Sequence, residues 1–316
     1  MNPLAMRRYD SLDAIRGRER GCVAAVGNFD GVHLGHQEIF SRTLAGARNH
    51  GGPGLAVTFS VHPVRELKPH MAPGSIMTLD ERLRIIGALG MDAALVLPFD
   101  GGLASLTPEA FVREVLVEIL GVAEVVAGED WRFGKGRAGD MDLLRVKGAE
   151  MDFGVQGVPD LFHEGLSVSS TRVRESIEKG DVDLARRLLG RPHLVRNRVV
   201  HGEGRGRGLG FPTVNIPSGG VITPSRGVYA ASFSCRDMAG PAAVNIGSRP
   251  TFGGGPITIE AHLVGMDGDL YGEEIVIRFL SRLRDEISFP DIFSLQEQIA
   301  RDVEKAKEIY ALEKGE

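Results

Sequence analysis

Short apolar runs alternate with amphipathic stretches through the first half of this chain. Residues 23–26 (VAAV) are apolar at every position, as in a strand covered on both faces, and short apolar runs recur at 55–59, 93–99 and 123–127. Between them apolar residues recur at helical spacing over 34–47, from Thr78 to Leu89, and over 111–120. Thr78 with Glu81 forms a capping box, Thr107-Pro108 supplies a cap and a first-turn proline, and Gly121 supplies a stop. Strands alternating with helices predict a doubly wound α/β parallel sheet, with right-handed crossovers and a ligand crevice at the carboxyl ends of the strands.

The pattern changes after Ser169. Two short helices are expected at 171–179 and 182–189, closed by Gly180 and Gly190. From 194 to about 286 the helical period fades, and short β-like runs appear at 228–235, 242–246, 257–264 and 274–280. A small antiparallel β-barrel buries such strands without long bare edges. Ser294 with Glu297 is expected to cap a terminal helix running to about residue 311. The boundary is placed near 188, giving domains 1–187 and 188–316.

With 316 residues, 42% hydrophobic and 25% charged, the chain reads as an ordinary soluble globular protein of two domains. A net charge of −5 gives no general attraction to nucleic acid or to an anionic membrane, so any phosphate-binding surface must be local. One basic stretch stands out, with Arg191, Arg196, Arg198, Arg205 and Arg207 against the single Glu203. Cys22 and Cys235 are too few for a disulfide framework, which fits a reducing cytoplasm. The first residues lack the apolar core of a signal peptide, and no apolar run reaches spanning length, so an intracellular protein is expected.

Candidate chemistry begins at GNFDGVHLGHQ, residues 27–37, between the first strand and a helix start. Backbone N–H groups and the positive end of the helix dipole collect there, and His33 and His36 add donors, an arrangement suited to nucleotide phosphates. Gly27, Gly31 and Gly35 allow close backbone approach or positive φ; Asp30 suits fixing loop geometry or meeting a metal. Taken in isolation, the two histidines are better explained as hydrogen-bonded structural residues, and it is the strand, loop and helix start around them that reverse this. The loop at 128–140 (GEDWRFGKGRAGD) reads either as a substrate loop or as an ordinary long turn. At 167–181, Ser169, Ser170 and Thr171 can cap a helix or donate to phosphate, and Arg172 and Arg174 in the first turn oppose the helix dipole unless an anion is near.

In the second half, HGEGRGRGLGFPTVNI at 201–216 is a glycine-rich segment without the Gly-Lys-Ser/Thr of a Walker loop. Thr213 and Asn215, at i and i+2 of a strand, face the same way and suit joint orientation of Mg²⁺ and phosphate oxygens. Glu260 lies in an apolar strand, either as a paired structural charge or as a base held close to substrate.

The strand followed by Gly-Asn-Phe-Asp-Gly and His-x-Gly-His resembles the nucleotidylyltransferase superfamily, whose fold is Rossmann-like. The larger set of motifs, in order, resembles the bifunctional prokaryotic riboflavin kinase/FAD synthetase family over nearly the whole chain. These are GNFDGVHLGHQ, WRFGKGRAGD, SSTRVR with GDVDLARRLLGRP, GRGRGLGFPTVNI, GVYA, NIGSRPTF, IEAHL, DLYGEEI and RDEISFPDIFSLQEQIARD. The resemblance implies an FMN adenylyltransferase domain followed by a riboflavin kinase domain. Riboflavin would be phosphorylated by ATP to FMN, and FMN adenylylated by a second ATP to FAD with release of pyrophosphate. It also implies Mg²⁺ for both steps and small-molecule substrates only, with no nucleic acid, membrane or obligate protein partner.

By the same resemblance Glu260 is the general base on the ribityl hydroxyl, and Thr213 and Asn215 orient Mg²⁺ and ATP. Gly204, Gly208 and Gly210 belong to the stretch covering that nucleotide. His33 and His36 stabilise charge on the α-phosphate in the adenylyl step. Gly27, Asn28, Phe29 and Asp30, with Ser169, Ser170, Thr171 and Arg172, are expected to contact nucleotide or phosphate. Three positions depart from the family pattern: Val61 in TFSVHP, His193 after Gly-Arg-Pro, and Trp131 in place of phenylalanine. The competing reading is a flavin carrier or nucleic-acid binder on a degenerate enzyme core, motivated by the basic stretch after Arg191.

Overall fold

The computed structural model describes residues 6–61, 64, 66, 72–202, 205–248, 257–266 and 268–315. It divides into two compact units, Met1–Val168 and Ser169–Glu316.

The first unit is built on six strands: β1 (Arg7–Tyr9), β2 (Val23–Val26), β3 (Gly54–Phe59), β4 (Ala93–Leu97), β5 (Glu124–Gly128) and β6 (Gly154–Val158). They pair in the order β1-β4-β3-β2-β5-β6, all parallel. Alternation sends Val23 and Ala25 of β2 into one core with Ile39 and Phe40 of the helix Leu34–His50, and with Leu83 and Ile86 of the helix Leu79–Ala88. Ala24 and Val26 enter the opposite core with Phe111, Val112 and Val115. The sheet is therefore covered on both faces, as the uninterrupted apolar strands predict. After β2 the chain builds outward through β3 and β4, then returns to place β5 on the other side of β2. That reversal opens a crevice at the carboxyl ends of β2 and β5, where the loops 27–33 and 128–140 emerge. A two-residue hairpin, β7 (Phe162–His163) with β8 (Leu166–Ser167), closes the unit.

The second unit starts with the helices Ser170–Glu178 and Val182–Leu189, capped by the side chains of Ser169 and Asp181. Six antiparallel strands follow: β9 (Leu194–Arg198), β10 (Val214–Ile216), β11 (Gly227–Cys235), β12 (Met238–Ser248), β13 (Ile257–Leu263) and β14 (Glu274–Arg284). Their order is β10-β13-β12-β11-β14-β9, and a Val200–Asn215 bridge brings the two edges together into a nearly closed barrel. The helical pair packs with the barrel: Val182 enters the barrel core, Ser281 hydrogen-bonds Asp183 at 3.0 Å, and Arg282 donates to the Lys179 carbonyl.

The terminal helix, Ile292–Lys314, differs from expectation. Its cap is Asp291, whose carboxylate accepts from the Ser294 N–H at 2.7 Å, so Ser294 lies inside the first turn. Aspartate accepts this bond as a charged group, which strengthens it and favours the earlier start. His193 is buried against Phe279, with its Nε2 3.0 Å from the Ile222 carbonyl, and acts as a core aromatic. Among the described residues no helix is long and apolar enough to cross a membrane.

Candidate active sites

In the first unit the loop after β2 is tightly constrained. Phe29 and Val32 adopt φ of 51° and 41°, and Gly31 has φ 88°. A Cβ on Gly27 would meet the Phe29 ring at 2.8 Å, so the first glycine is needed for packing room. The Asn28 carbonyl accepts from the Thr58 hydroxyl at 3.1 Å. Both Asp30 carboxylate oxygens accept the Ile76 N–H, at 3.1 and 3.2 Å, so this acid fixes the loop to the segment leading into the helix Leu79–Ala88. Gln37 reaches back to donate to the Val32 carbonyl at 2.9 Å.

The two histidines come together at the helix start. His33 is the N-cap of Leu34–His50, and its Nδ1 accepts the His36 N–H at 3.4 Å. In the neutral ring this puts the proton on Nε2. The rings stack with centroids 3.6 Å apart, and Phe29 meets His36 edge-on at 5.2 Å. The first turn of this helix carries no acidic side chain, so its positive end is not offset from within.

Beside it, after β5, the loop 128–140 is a built turn rather than a loose one. Phe133 and Gly139 form a bridge, Trp131 stacks on Phe133 at 4.5 Å, and Phe111 packs under both. Asp140 caps the next helix, and the Leu143 N–H it accepts holds its carboxyl below the usual aspartate value. Of the Thr58–Pro63 segment, Thr58 to Val61 are described; His62 and Pro63 lie outside the described residues.

In the second unit the register places Glu260 of β13 opposite Asn215 of β10 on one side and Asn245 of β12 on the other. Glu260, Thr213 and Asn245 line one cavity of about 310 Å³, together with Glu286, Arg284 and Asp302. Among the described residues no cation pairs with Glu260; Arg249 and its neighbours up to residue 256 lie outside the described residues, so both readings of this carboxylate stay open. The glycine-rich segment lies against the Pro-Thr-x-Asn element. A Cβ on Gly206 would meet the Phe211 carbonyl and, at 3.0 Å, the Thr213 hydroxyl; one on Gly202 would collide with the Asn215 amide. Gly208 faces open space and Gly210 has φ 82°, while Gly204 lies outside the described residues, as do residues 249–252 of NIGSRPTF.

The terminal helix supplies one wall of this cavity through Leu295, Ile299 and Asp302. Arg284 anchors it: Nη2 and Nε donate to Asp302 Oδ2 at 2.8 and 3.0 Å. Gln296 ties the same helix to the Leu209 carbonyl at 3.1 Å. Ser169, Ser170, Thr171 and Arg172 form the start of the helix Ser170–Glu178, where the Ser169 hydroxyl accepts the Arg172 N–H at 3.3 Å. Sequence reasoning did not single out Asn245, Glu286, Arg284 with Asp302, Gln37 or Arg82. Only the capping box and helical period around Arg82 bore on it, and neither says which way the side chain faces.

Residues 15–172 match the family model described as FAD synthetase, and residues 189–310 match that described as riboflavin kinase. The chain is 38% identical over 307 residues to the bifunctional riboflavin kinase/FMN adenylyltransferase of Pseudomonas fluorescens, covering 97% of this chain and 98% of that one. Its counterpart in Escherichia coli (strain K12) is 36% identical over 297 residues, covering 94% and 95%. A crystal structure described as a macrolide-efflux protein from Streptococcus pneumoniae matches with a TM-score of 0.86 at 29% identity, over 96% of this chain and 99% of that one.

Proposed function

The chain belongs to the bifunctional riboflavin kinase/FMN adenylyltransferase family, and we infer from that premise which of its residues carry each of its two reactions. It phosphorylates riboflavin to FMN with one ATP and adenylylates FMN to FAD with another. The division of labour follows the sequence boundary, with 1–187 as adenylyltransferase and 188–316 as kinase.

For the kinase, the supporting observation is Glu260 between Asn215 and Asn245, in a cavity shared with Thr213 and with no cation partner among the described residues. Glu260 takes the proton of the ribityl 5′-hydroxyl as that oxygen attacks the γ-phosphorus of ATP. The new O–P bond forms as the bond to the bridging oxygen of ADP breaks. Positioning and charge stabilisation supply most of the rate, so the base assists more than it drives. ATP-using enzymes of both kinds generally need a divalent metal, and we assign Mg²⁺. The Thr213 hydroxyl and Asn215 side-chain carbonyl are hard oxygen donors that Gly206 and Gly202 leave room for. When bound, the ion neutralises charge on the ATP phosphates. The segment holding Gly204, Gly208 and Gly210 covers the nucleotide.

For the adenylyl step, a phosphate oxygen of FMN attacks the α-phosphorus of ATP, and the bond to pyrophosphate breaks as the new one forms. The nucleophile is already anionic, so the main demand is a preorganised set of donors. His33 Nε2, His36 and the first-turn N–H groups provide them, with Gly27 and Phe29 shaping the loop. The Asn28 side-chain carbonyl is buried and accepts no hydrogen bond among the described residues, which suits a donor on the base or ribose rather than a phosphate. Ser169, Ser170, Thr171 and Arg172 are assigned to nucleotide phosphate on motif grounds. The substrates are riboflavin, FMN and ATP, and both reactions are placed in the reducing cytoplasm.

Chromatography of flavin products over time tests this reading. His33→Ala is expected to abolish FAD while FMN accumulates from riboflavin. Glu260→Ala is expected to stop FMN formation yet leave supplied FMN convertible to FAD. Loss of both activities from either substitution in a folded protein refutes separate sites.

A further inference from the structure

Arg82, the fourth residue of the helix Leu79–Ala88, is 4% exposed. Its Nη1 lies 2.9 Å from the Asn28 carbonyl, 3.0 Å from the Phe59 carbonyl and 3.2 Å from the Thr58 hydroxyl. Asn28 is in the loop after β2, and Thr58 and Phe59 end β3, so one guanidinium ties two neighbouring strand ends together. Among the described residues no carboxylate accepts a hydrogen bond from it, and its Nε has no partner. A buried cation hydrogen-bonded only to neutral groups is costly: burial lowers the Arg82 pKa, and the nearby Asp30 charge opposes that only in part. A neutral amide or hydroxyl would tether the same carbonyls at lower cost.

The tether also acts on a strained segment. Val32, a β-branched residue at φ 41°, sits in a region such residues rarely adopt, and Phe29 at φ 51° is close by. Strain of this kind persists only where the surroundings hold it. Arg82 holds the loop at Asn28, Asp30 holds it at the Ile76 N–H, and Gln37 holds the Val32 carbonyl. Two of these three ties come from the single stretch 76–82. His33 and His36 follow directly, so their placement depends on the loop staying in this conformation.

We propose that Arg82 is a positioning residue for adenylyl transfer: it locks the loop after β2 in its strained form, so that the donors at His33 and His36 meet the α-phosphate. This rests on reading that loop as the adenylyl-transfer site. The test uses the full chain and compares wild type with Arg82→Met, Arg82→Lys and His33→Ala in FMN adenylylation with ATP varied. Fluorescence of Trp131, the sole tryptophan, reports whether the first unit is folded. Arg82→Met is expected to lower kcat on the order of 100-fold with KM for ATP little changed, as for a loop misplaced by about an ångström. Arg82→Lys is expected to fall between, because the ammonium keeps the charge and reaches only part of the acceptor set.

A merely structural role predicts instead that the loss disappears once the assay is run well below the variant's unfolding transition, and that result overturns the proposal. So does Arg82→Met within about threefold of wild type while His33→Ala is inactive. If His33→Ala stays active, the site reading fails and takes this inference with it. Should Arg82→Met not fold, Arg82→Lys decides the matter: an intermediate rate supports the tether, and a wild-type rate refutes it.

Discussion

Replacing Asp302 by asparagine tests whether the wall of the kinase cavity is pinned by a charge. The Asp302 side chain is 4% exposed and faces Arg284, itself 19% exposed, at 2.8 Å. Gln298 donates to the other Asp302 oxygen at 2.9 Å. Asparagine keeps the shape but removes the negative charge, and its NH₂ must face either Arg284 or Gln298, both donors. Breaking one side of a buried ion pair costs about 3–5 kcal/mol. Arg284 keeps some solvent and the Asp285 carbonyl at 3.0 Å, which places the expected loss at the lower end, about 3 kcal/mol. For a unit of this size that corresponds to a fall in Tm of roughly 6–12 °C.

Urea and thermal melts of the full chain measure it, with riboflavin kinase rates alongside. KM for riboflavin is expected to rise before kcat falls, because Thr213 and Glu260 stand on the barrel and not on the helix. The double variant Arg284→Met with Asp302→Leu is expected to recover most of the stability, since apolar replacement of a whole buried pair is close to neutral. A loss below about 1 kcal/mol for the single variant, or a double variant as unstable as the sum of the two singles, refutes the argument.

Gly206→Ala places a methyl against the Phe211 carbonyl and the Thr213 hydroxyl, so the kinase rate is expected to drop about tenfold while supplied FMN is still adenylylated; equal initial rates for wild type and variant refute it. The Cys22 thiol is pushed up to about 12, first by burial and then by the nearby Glu19 charge, so iodoacetamide at neutral pH is expected to leave it unlabelled until the chain is unfolded, as mass spectrometry will read. Burial alone would raise the Glu19 carboxyl, but hydrogen bonds from Arg7 and Tyr9 and the Arg7 charge bring it below its ordinary value. Its stabilisation is therefore complete above the ordinary carboxylate range and lost as pH falls through the lower folded value. In acid titrations followed by Trp131 fluorescence, Glu19→Gln is expected to flatten that limb, and an unchanged limb counts against the assignment.

Elements with strong local patterns were legible in advance. β2 is apolar at every position because it lies between β3 and β5 under two layers of helix, and Thr78 and Ser169 cap the helices that follow them. The strands β6 and β9 were missed, whereas β10 is the strand already expected to carry Thr213 and Asn215. GVQGV has glycines where a buried strand usually has branched side chains, and LVRNR carries two arginines at an edge. Edge position explains both, since a strand paired on one side needs less apolar surface. The start at Asp291 was hidden because Asp291 and Ser294 are both good caps three residues apart, and sequence alone does not rank them.

The two sites divide along the same line. His33 with His36, and Thr213 with Asn215, depend on spacings within one turn or one strand, so their neighbours follow from chain order. Asn245 beside Glu260 depends on the β12–β13 register, and a shift of one residue would send it to the opposite face. Arg82 has the profile of a solvent-facing helix residue, and only the packing of that helix on β2 and β3 turns it inward. Glycines make the same point. Both segments 27–35 and 202–210 are rich in them, yet Gly27 is required by the Phe29 ring and Gly206 by Thr213, while Gly208 has nothing near it. Composition marks where the backbone can approach a phosphate; contacts made far along the chain decide which glycine the fold cannot replace.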